Sequence, residues 1–386
     1  MINMKSKALI FVILAVMLSS TLVLAGCSGK SNSGTSSGQT IKIGWVAPLT
    51  GACANDGQQM LNGAKLAVKE INASGGISGK QIELSPQDDK SDPKEAANIA
   101  TKFTADSSIT AVLGNYNSSC VLSEAPIFEQ AKLPVIHVGT SPVISQQNFQ
   151  YLFRISVTDA FQSGIVTQWL FDEGHKNVGI IYENDDYGRG IKDAVTSDMA
   201  SLGGKVAGGW SYELGQTKDY TSLLTSAKNA GSDSLFIAGL YTEGALIAKQ
   251  MPTVGLDVPV YGTDGLYEKS LITLGGSAVE GFHVSGLFTP NDTRPNIKSF
   301  IDAYKTAYND TPGTYAALDY DAMKLLAKTI AAVGTDHDKL QAALSSMTTP
   351  YEGVTGSITF DQHHDAKRPS MEKLTVKDGQ WVLYQK

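Results

Sequence analysis

Apolar and polar positions alternate along this chain in two registers. The short run IKIGWVAPL (41–49) has the length and composition of a buried strand. The next stretch, QQMLNGAKLAVKEINASGG, puts Leu61, Ala64, Val68 and Ile71 on one face at helical spacing, and Gly75-Gly76 supplies the stop. QIELSPQDD predicts a second strand. Asp92-Pro93 opens a helix through KEAANIATKFTAD, with Pro93 at its first position. ITAVLGN, a helix from about Ser119, and LPVIHVG continue the alternation. Strand-helix alternation implies a parallel, doubly wound sheet.

After YLFRISVTDAFQ the pattern starts again with NVGIIYEN, IKDAVTSDMASLG, KVAGGWSYEL, YTSLLTSAKNAG, DSLFIAGL, ALIAKQMPTVGL, VPVYGTDG and GFHVSGLF. Two α/β units of similar size follow. KSFIDAYKTAYND and YAALDYDAMKLLAKTIAAVG are long helices without intervening strands, and GSITFD and LTVKDGQWVLYQ make a β-rich end. That C-terminal part is too short for a third α/β unit, so it is expected to complete the two earlier ones.

The N-terminus has a different layout. Lys5 and Lys7 precede ALIFVILAVMLSSTLVLAGC, a basic region, an apolar stretch and small residues before a Cys. This is the order of a secretory signal, the alternative being an uncleaved anchor. LAGC (24–27) resembles the lipobox of bacterial lipoproteins, which implies removal of residues 1–26 and a lipid on Cys27. Residues 27–40 are Ser/Gly-rich with no apolar period and read as a flexible tether reaching roughly 20 Å. No second stretch is apolar enough to span a bilayer.

Without residues 1–26 the chain of 386 residues still exceeds one ordinary core, so two lobes are expected. A net charge of −7 without basic clusters argues against nucleic acid as a partner. Only Cys53 and Cys120 remain besides Cys27, and no Cys-x-x-Cys exists, which excludes a disulfide scaffold and a zinc module. NDD (184–186) and HHD (363–365) lack calcium-loop spacing and helical His pairing, so they read as solvated turns and no metal is expected. There is no Gly-x-Ser-x-Gly elbow, phosphate loop or acid-base pair to suggest an enzyme, and no cofactor is called for.

TAVLGNYNSSC (110–120) raises a chemical question. A strand feeding a helix through a small-residue turn is an anion-binding arrangement, yet this turn has no Lys and no Gly-x-Gly-x-x-Gly. IKIGWVAPLTG, NGAKLAVKEINASGGISGK, DDKSDPKEAANIA, FRISVTDAFQ, YENDDYGRG, YAALDYDAMKLLAKTI and GSITFD together resemble the bacterial periplasmic Leu/Ile/Val-binding proteins. These are type I solute-binding proteins of ABC importers, and the resemblance runs from about Ile41 to the C-terminus. It implies two lobes joined by three crossovers, near Val157–Phe161, Ser285–Phe288 and Val354–Ser357. The implied lobes are 41–159 with 288–355, and 160–287 with 356–386. It further implies an amino acid held in the cleft, an importer permease as partner, a monomer, and an extracytoplasmic location held to the membrane through Cys27. An extracellular amino-acid or amide sensor domain is the alternative.

The resemblance makes the anion a carboxylate, bound by a helix N-terminus with no cationic side chain. Ser118 matches the family's carboxylate-binding Ser; its alternative role is a helix N-cap. Gly139 and Thr140, in HVGTSPVI, match the segment whose Thr bonds carboxylate and ammonium; the alternative is a turn cap before Pro142. Asp264, in VYGTDGLYE, matches the acidic residue for the α-amino group; the alternative is an Asx turn. Tyr187 and Tyr241 match cleft tyrosines, with surface or hinge packing as the alternative. Asp159 and Gln162 fall at the first crossover and read as hinge residues. Asp56 stands where relatives carry an aromatic ring, which predicts a more polar pocket unless it points to solvent. Cys53 and Cys120 follow neighbouring strands in a sheet of order 2-1-3-4-5, so a disulfide worth about 4 kcal/mol is expected, two packed thiols being the alternative.

Overall fold

The computed structural model describes residues 40–368 and 370–385. The expectations for residues 1–26, for most of the tether and for Cys27 lie outside the described residues. Among the described residues no helix is long and apolar enough to cross a membrane.

The first lobe is a parallel sheet with strand order β2-β1-β3-β4-β5, formed by β1 (Ile41–Ala47), β2 (Ile82–Asp88), β3 (Ile109–Leu113), β4 (Val135–His137) and β5 (Leu152–Arg154). β1 pairs with β2 from Ile41↔Ile82 to Ala47↔Asp88 and with β3 on its other side. It is therefore interior to the sheet, and every residue of it except Lys42 is buried. The helices between are α1 (Ala54–Ala73), α2 (Pro93–Ala105), α3 (Ser118–Gln130) and the short α4 (Pro142–Gln146). α2 begins as its sequence predicts, with Pro93 inside and the Asp92 side chain accepting from Lys94 N.

The second lobe repeats this order. β6 (Asn177–Glu183), β7 (Lys205–Tyr212), β8 (Ser234–Ala238), β9 (Val260–Gly262) and β10 (His283–Gly286) run β7-β6-β8-β9-β10. The sheet then continues antiparallel into β13 (Glu372–Lys377) and β14 (Gln380–Leu383), a hairpin closed by Asp378 and Gly379, both at positive φ. Its helices include α5 (Asp159–Asp172), α6 (Asp186–Leu202), α7 (Thr221–Asn229), α8 (Tyr241–Gln250) and α9 (Lys269–Gly275). The architecture is thus the expected pair of doubly wound α/β lobes.

Between β10 and β13 the chain returns to the first lobe. α10 (Pro295–Tyr308) and α11 (Thr314–Val333) both pack on α1, and α12 (His337–Ser345) follows. α11 lies so close that a Cβ on Gly63 would stand 2.0 Å from the Ala316 carbonyl oxygen. The hairpin of β11 (Tyr351–Gly353) and β12 (Gly356–Ile358) comes next.

One expected boundary moves. The resemblance implies that residues 356–386 belong to the second lobe, but residues 360–366 lie with the first sheet. Arg154 N donates to His364 O and Ala366 N to Arg154 O, both at 2.9 Å, along the free edge of β5. Phe360 packs edge-on against Phe153. The chain therefore crosses to the second sheet only between residue 366 and β13. The cause is Arg154: its buried guanidinium needs acceptors, and Asp365 Oδ1 stands 3.2 Å from Nε. GSITFD reads as a strand, but nothing in six residues says which sheet edge it follows.

Arg368, in that last crossing, is held to the first lobe by donating to Ile155 O, just before the first crossing, at 2.7 Å and to Thr355 O at 2.8 Å.

Candidate functional site

The carboxyl ends of the two sheets face one another, and a buried cavity lies between them. Tyr116, Asn117, Ser118, Val138, Thr140 and Tyr315 line it from the first lobe, Tyr187 and Leu240 from the second. Its volume is about 20 Å³, room for about one water molecule. A ligand of amino-acid size therefore enters only when the lobes part.

The first-lobe wall is built for an anion. α3 starts at Ser118, and its N-cap Asn117 makes no side-chain capping bond, so the first N–H groups of the helix carry no side-chain cap. Ser118 Oγ accepts from Thr140 N and Ser141 N, each at 3.1 Å. With both lone pairs occupied, its own proton remains for donation. Behind this wall Thr140 O accepts from Arg154 Nη1 at 2.8 Å and Asp159 N at 2.9 Å, which fixes the β4–α4 turn. Gly139 stands behind the lining: a Cβ there would meet Val121 Cγ2 at 2.9 Å and Ser118 Cα at 3.4 Å. Its part is close approach of the turn to α3.

The second-lobe wall is acidic. Asp264 opens a short 3-10 turn after β9 and is fully buried. Its Oδ2 accepts from Tyr315 Oη at 3.3 Å, while Oδ1 has no partner. Burial pushes its carboxyl up to about 6, held down by bonds from Gln162 and Tyr315. Tyr187 Oη is 3.0 Å from Thr263 Oγ1, beside Asp264 in sequence. Tyr241 stands at the rim and reaches across to donate to Ala52 O at 3.2 Å; Leu240, not Tyr241, lines the cavity.

Asp56 is buried, not solvent-facing. Its Oδ2 accepts from Tyr116 Oη at 2.7 Å, and burial raises its carboxyl to about 7. The hinge residues also reach inward: Gln162 Nε2 donates to Asp159 Oδ1 at 3.2 Å, and Gln162 Oε1 accepts from Asp264 N at 3.4 Å. The two sequence positions thus link the first crossover to the acidic wall.

The expected disulfide is not formed. Cys53 and Cys120 are free, buried thiols. Cys53 lies near the Asn117 amide and Cys120 beside Asp89, and burial raises both thiols. The packed-thiol alternative accounts for them. Among the described residues no His, Cys, Asp or Glu group could hold a metal ion.

The sequence singles out neither Tyr116, Asn117, Val138, Tyr315 and Leu240, which line the cavity, nor Gln59, which donates from the first lobe to the buried Glu268 of the second at 3.1 Å. Tyr116 and Asn117 sit inside the turn already singled out, and Leu240 directly precedes Tyr241. Tyr315 read only as part of an apolar helix; its place at the first turn of α11 was the available signal. Gln59 and Glu268 carry no local signal, because their partnership spans 209 positions.

A family profile described as periplasmic binding protein matches residues 40–380. The Leu/Ile/Val-binding protein homolog 1 of Brucella suis biovar 1 is 30% identical over 343 residues, covering 87% of this chain and 90% of that protein. A leucine-, isoleucine-, valine-, threonine-, and alanine-binding protein of Pseudomonas aeruginosa is 30% identical over 331 residues, covering 85% and 87%. Among solved structures, the leucine-binding protein LivK of Thermotoga maritima superposes with TM-score 0.83 at 28% identity, covering 90% of this chain and 98% of that one. The substrate-binding protein LivJ of Streptococcus pneumoniae, solved with isoleucine, gives TM-score 0.81 at 30% identity, covering 89% and 97%.

Proposed function

The chain belongs to the periplasmic binding protein family, and from that premise we propose that it binds one free amino acid, as a zwitterion, between its two lobes. The observation that carries this reading is the pairing of unlike walls. An uncapped helix start with a spare hydroxyl proton on Ser118 is on one lobe; an unpartnered, buried Asp264 oxygen is on the other. The first suits a carboxylate and the second an ammonium. Only a molecule carrying both groups satisfies both walls, and it does so best when the lobes close on it.

In this reading Ser118 and Thr140 hold the carboxylate and Asp264 the α-ammonium. Tyr187 orients the acidic wall through Thr263, Gly139 keeps the turn close to α3, and Tyr241 spans the rim. The closed form is what a permease of an ABC importer receives. A lipid on Cys27 keeps the protein, acting as a monomer, on the extracytoplasmic face of the cell membrane. Its relatives are named as binding proteins, which supports a role without catalysis.

The test is a thermal-shift screen of the twenty amino acids. A bound ligand stabilises by RT ln(1 + [L]/Kd). One or a few amino acids at millimolar concentration should raise the midpoint by several degrees. No shift with any of them overturns the reading.

A further inference from the structure

The site described so far uses Asp264 alone for an ammonium, yet the cleft holds more buried acid than one ammonium needs. Asp56, in the first turn of α1, and Glu268, after the Asp264 turn, come from different lobes, and their carboxyls stand within hydrogen-bonding reach of one another. Both are buried. Gln59 Nε2 donates to both Glu268 oxygens at 3.1 Å, and Asn55 Nδ2 to Oε2 at 3.1 Å, so Glu268 is held from the opposite lobe. Asp56 has Tyr116 on Oδ2 and nothing on Oδ1.

Among the described residues no cationic side chain bonds to this pair. The neighbouring Lys269 is turned outward to Asp310, 3.5 Å away at the surface. Burial and mutual repulsion raise both carboxyls, so a proton shared by the pair can satisfy Asp56 Oδ1; once both ionise, that buried atom has no donor. Such an atom is satisfied by a proton or by a donor on the ligand. Tyr116 stands between the cavity and the pair: it lines the cavity with Tyr315, and its hydroxyl bonds Asp56 as that of Tyr315 bonds Asp264. On its other side Glu268, with Gln59, borders a hollow of about 430 Å³, which gives a longer side chain space.

We propose that Asp56 and Glu268 form the side-chain subsite of the cleft and select an amino acid whose side chain ends in a hydrogen-bond donor, a cationic one above all. This rests on the amino-acid reading above and narrows it. A leucine-like side chain would bury the pair without supplying a donor. A terminal amine, guanidinium, amide or hydroxyl supplies one, and a cation also offsets the charge. The ligand donor competes with a proton shared by the pair. The titratable groups acting on the pair are Asp264, Asp310, Tyr116, Tyr315, Tyr241, Tyr267, Tyr304 and Cys53; none of these supplies a positive charge.

Titration calorimetry on the purified protein with lysine, ornithine, glutamine and threonine against leucine, isoleucine and valine tests this. At pH 7.5 the tightest donor-bearing ligand should bind at least about tenfold more tightly than any aliphatic one. Asp56→Asn and Glu268→Gln should each lower that ratio about tenfold, with circular dichroism and melting confirming the fold. The ratio should also rise between pH 5.5 and pH 8; taking the ratio cancels the titration of Asp264, which meets every ligand's ammonium. Aliphatic ligands binding as tightly, a ranking unchanged in both variants, or a ratio that falls with pH overturns the subsite. If no amino acid binds at all, the amino-acid reading itself fails, an outcome separate from these.

Discussion

Tyr315 on the first lobe donates its hydroxyl to Asp264 on the second at 3.3 Å. The same junction carries Ser119 Oγ to Asp186 Oδ2 at 2.7 Å, Gln59 to Glu268 at 3.1 Å and Tyr241 to Ala52 O at 3.2 Å. All of these bonds need the lobes together, and the cavity they enclose is too small for an amino acid. Opening therefore breaks them, and the ligand replaces some of them on closure.

Removing one such bond should shift the balance toward the open form. A hydrogen bond to a charged group contributes about 1.5–3 kcal/mol. Tyr315→Phe, which keeps the ring against Tyr116 at 4.9 Å, should weaken ligand affinity about tenfold. Small-angle scattering should give a smaller radius of gyration with saturating ligand than without it. An equal radius in both conditions, with normal affinity in the variant, would count against closure through this contact.

Asp264→Asn removes the proposed ammonium partner and should weaken every amino-acid ligand by about tenfold or more. The pH dependence has a definite direction. Burial lifts this carboxyl to about 6, and only its ionised form attracts an ammonium. Affinity should be flat above that value and fall as the pH drops through it. In Asp264→Asn the part of the fall due to this group disappears. Calorimetry between pH 5 and pH 8 reads both effects.

Much of this was legible in the sequence because it is local. The parallel, doubly wound sheets follow from alternating periods, and the start of α2 from Asp92-Pro93. Ser118 and Asp264 are marked out by the family resemblance, and both follow strand ends, where an open parallel sheet places its ligands. What escaped depends on partners far along the chain. Arg154 and Asp365 decide which sheet takes residues 360–366, and no local pattern records that pairing. The Cys53–Cys120 expectation failed for a related reason. Neighbouring strands bring two loops close, but disulfide geometry also needs converging Cβ vectors, and strand order does not fix side-chain direction. Asp56 points inward because Tyr116, 60 positions away, meets it there.

The two thiols give a direct check. Cys53 and Cys120 are fully buried, and burial raises both above the ordinary thiol range. Reaction requires exposed thiolate. A thiol reagent at pH 8 should leave both unmodified in the native protein and label both after denaturation without reductant, as read by peptide mass mapping. Labelling of neither under denaturing conditions would mean that they are bonded.

Asp319 links the first sheet to α11, since Trp45 Nε1 donates to its Oδ2 at 2.7 Å and both side chains are buried. Burial with a single donor raises its carboxyl from the ordinary carboxylate range to about 7. The folded state therefore holds a proton there that the unfolded chain releases in the acid range. Stability from this group is full at low pH and is lost as pH rises through that interval, because the unfolded chain then binds fewer protons than the folded one. Asp319→Asn keeps an acceptor for Trp45 and never ionises. The variant should match the parent near pH 4 and melt at a higher temperature at pH 8, with the gap opening between. Calorimetric melts across that range measure it, with Trp45 near-UV circular dichroism reporting that the contact survives. A parallel pair of melting curves at all pH values would show that Asp319 does not titrate across folding.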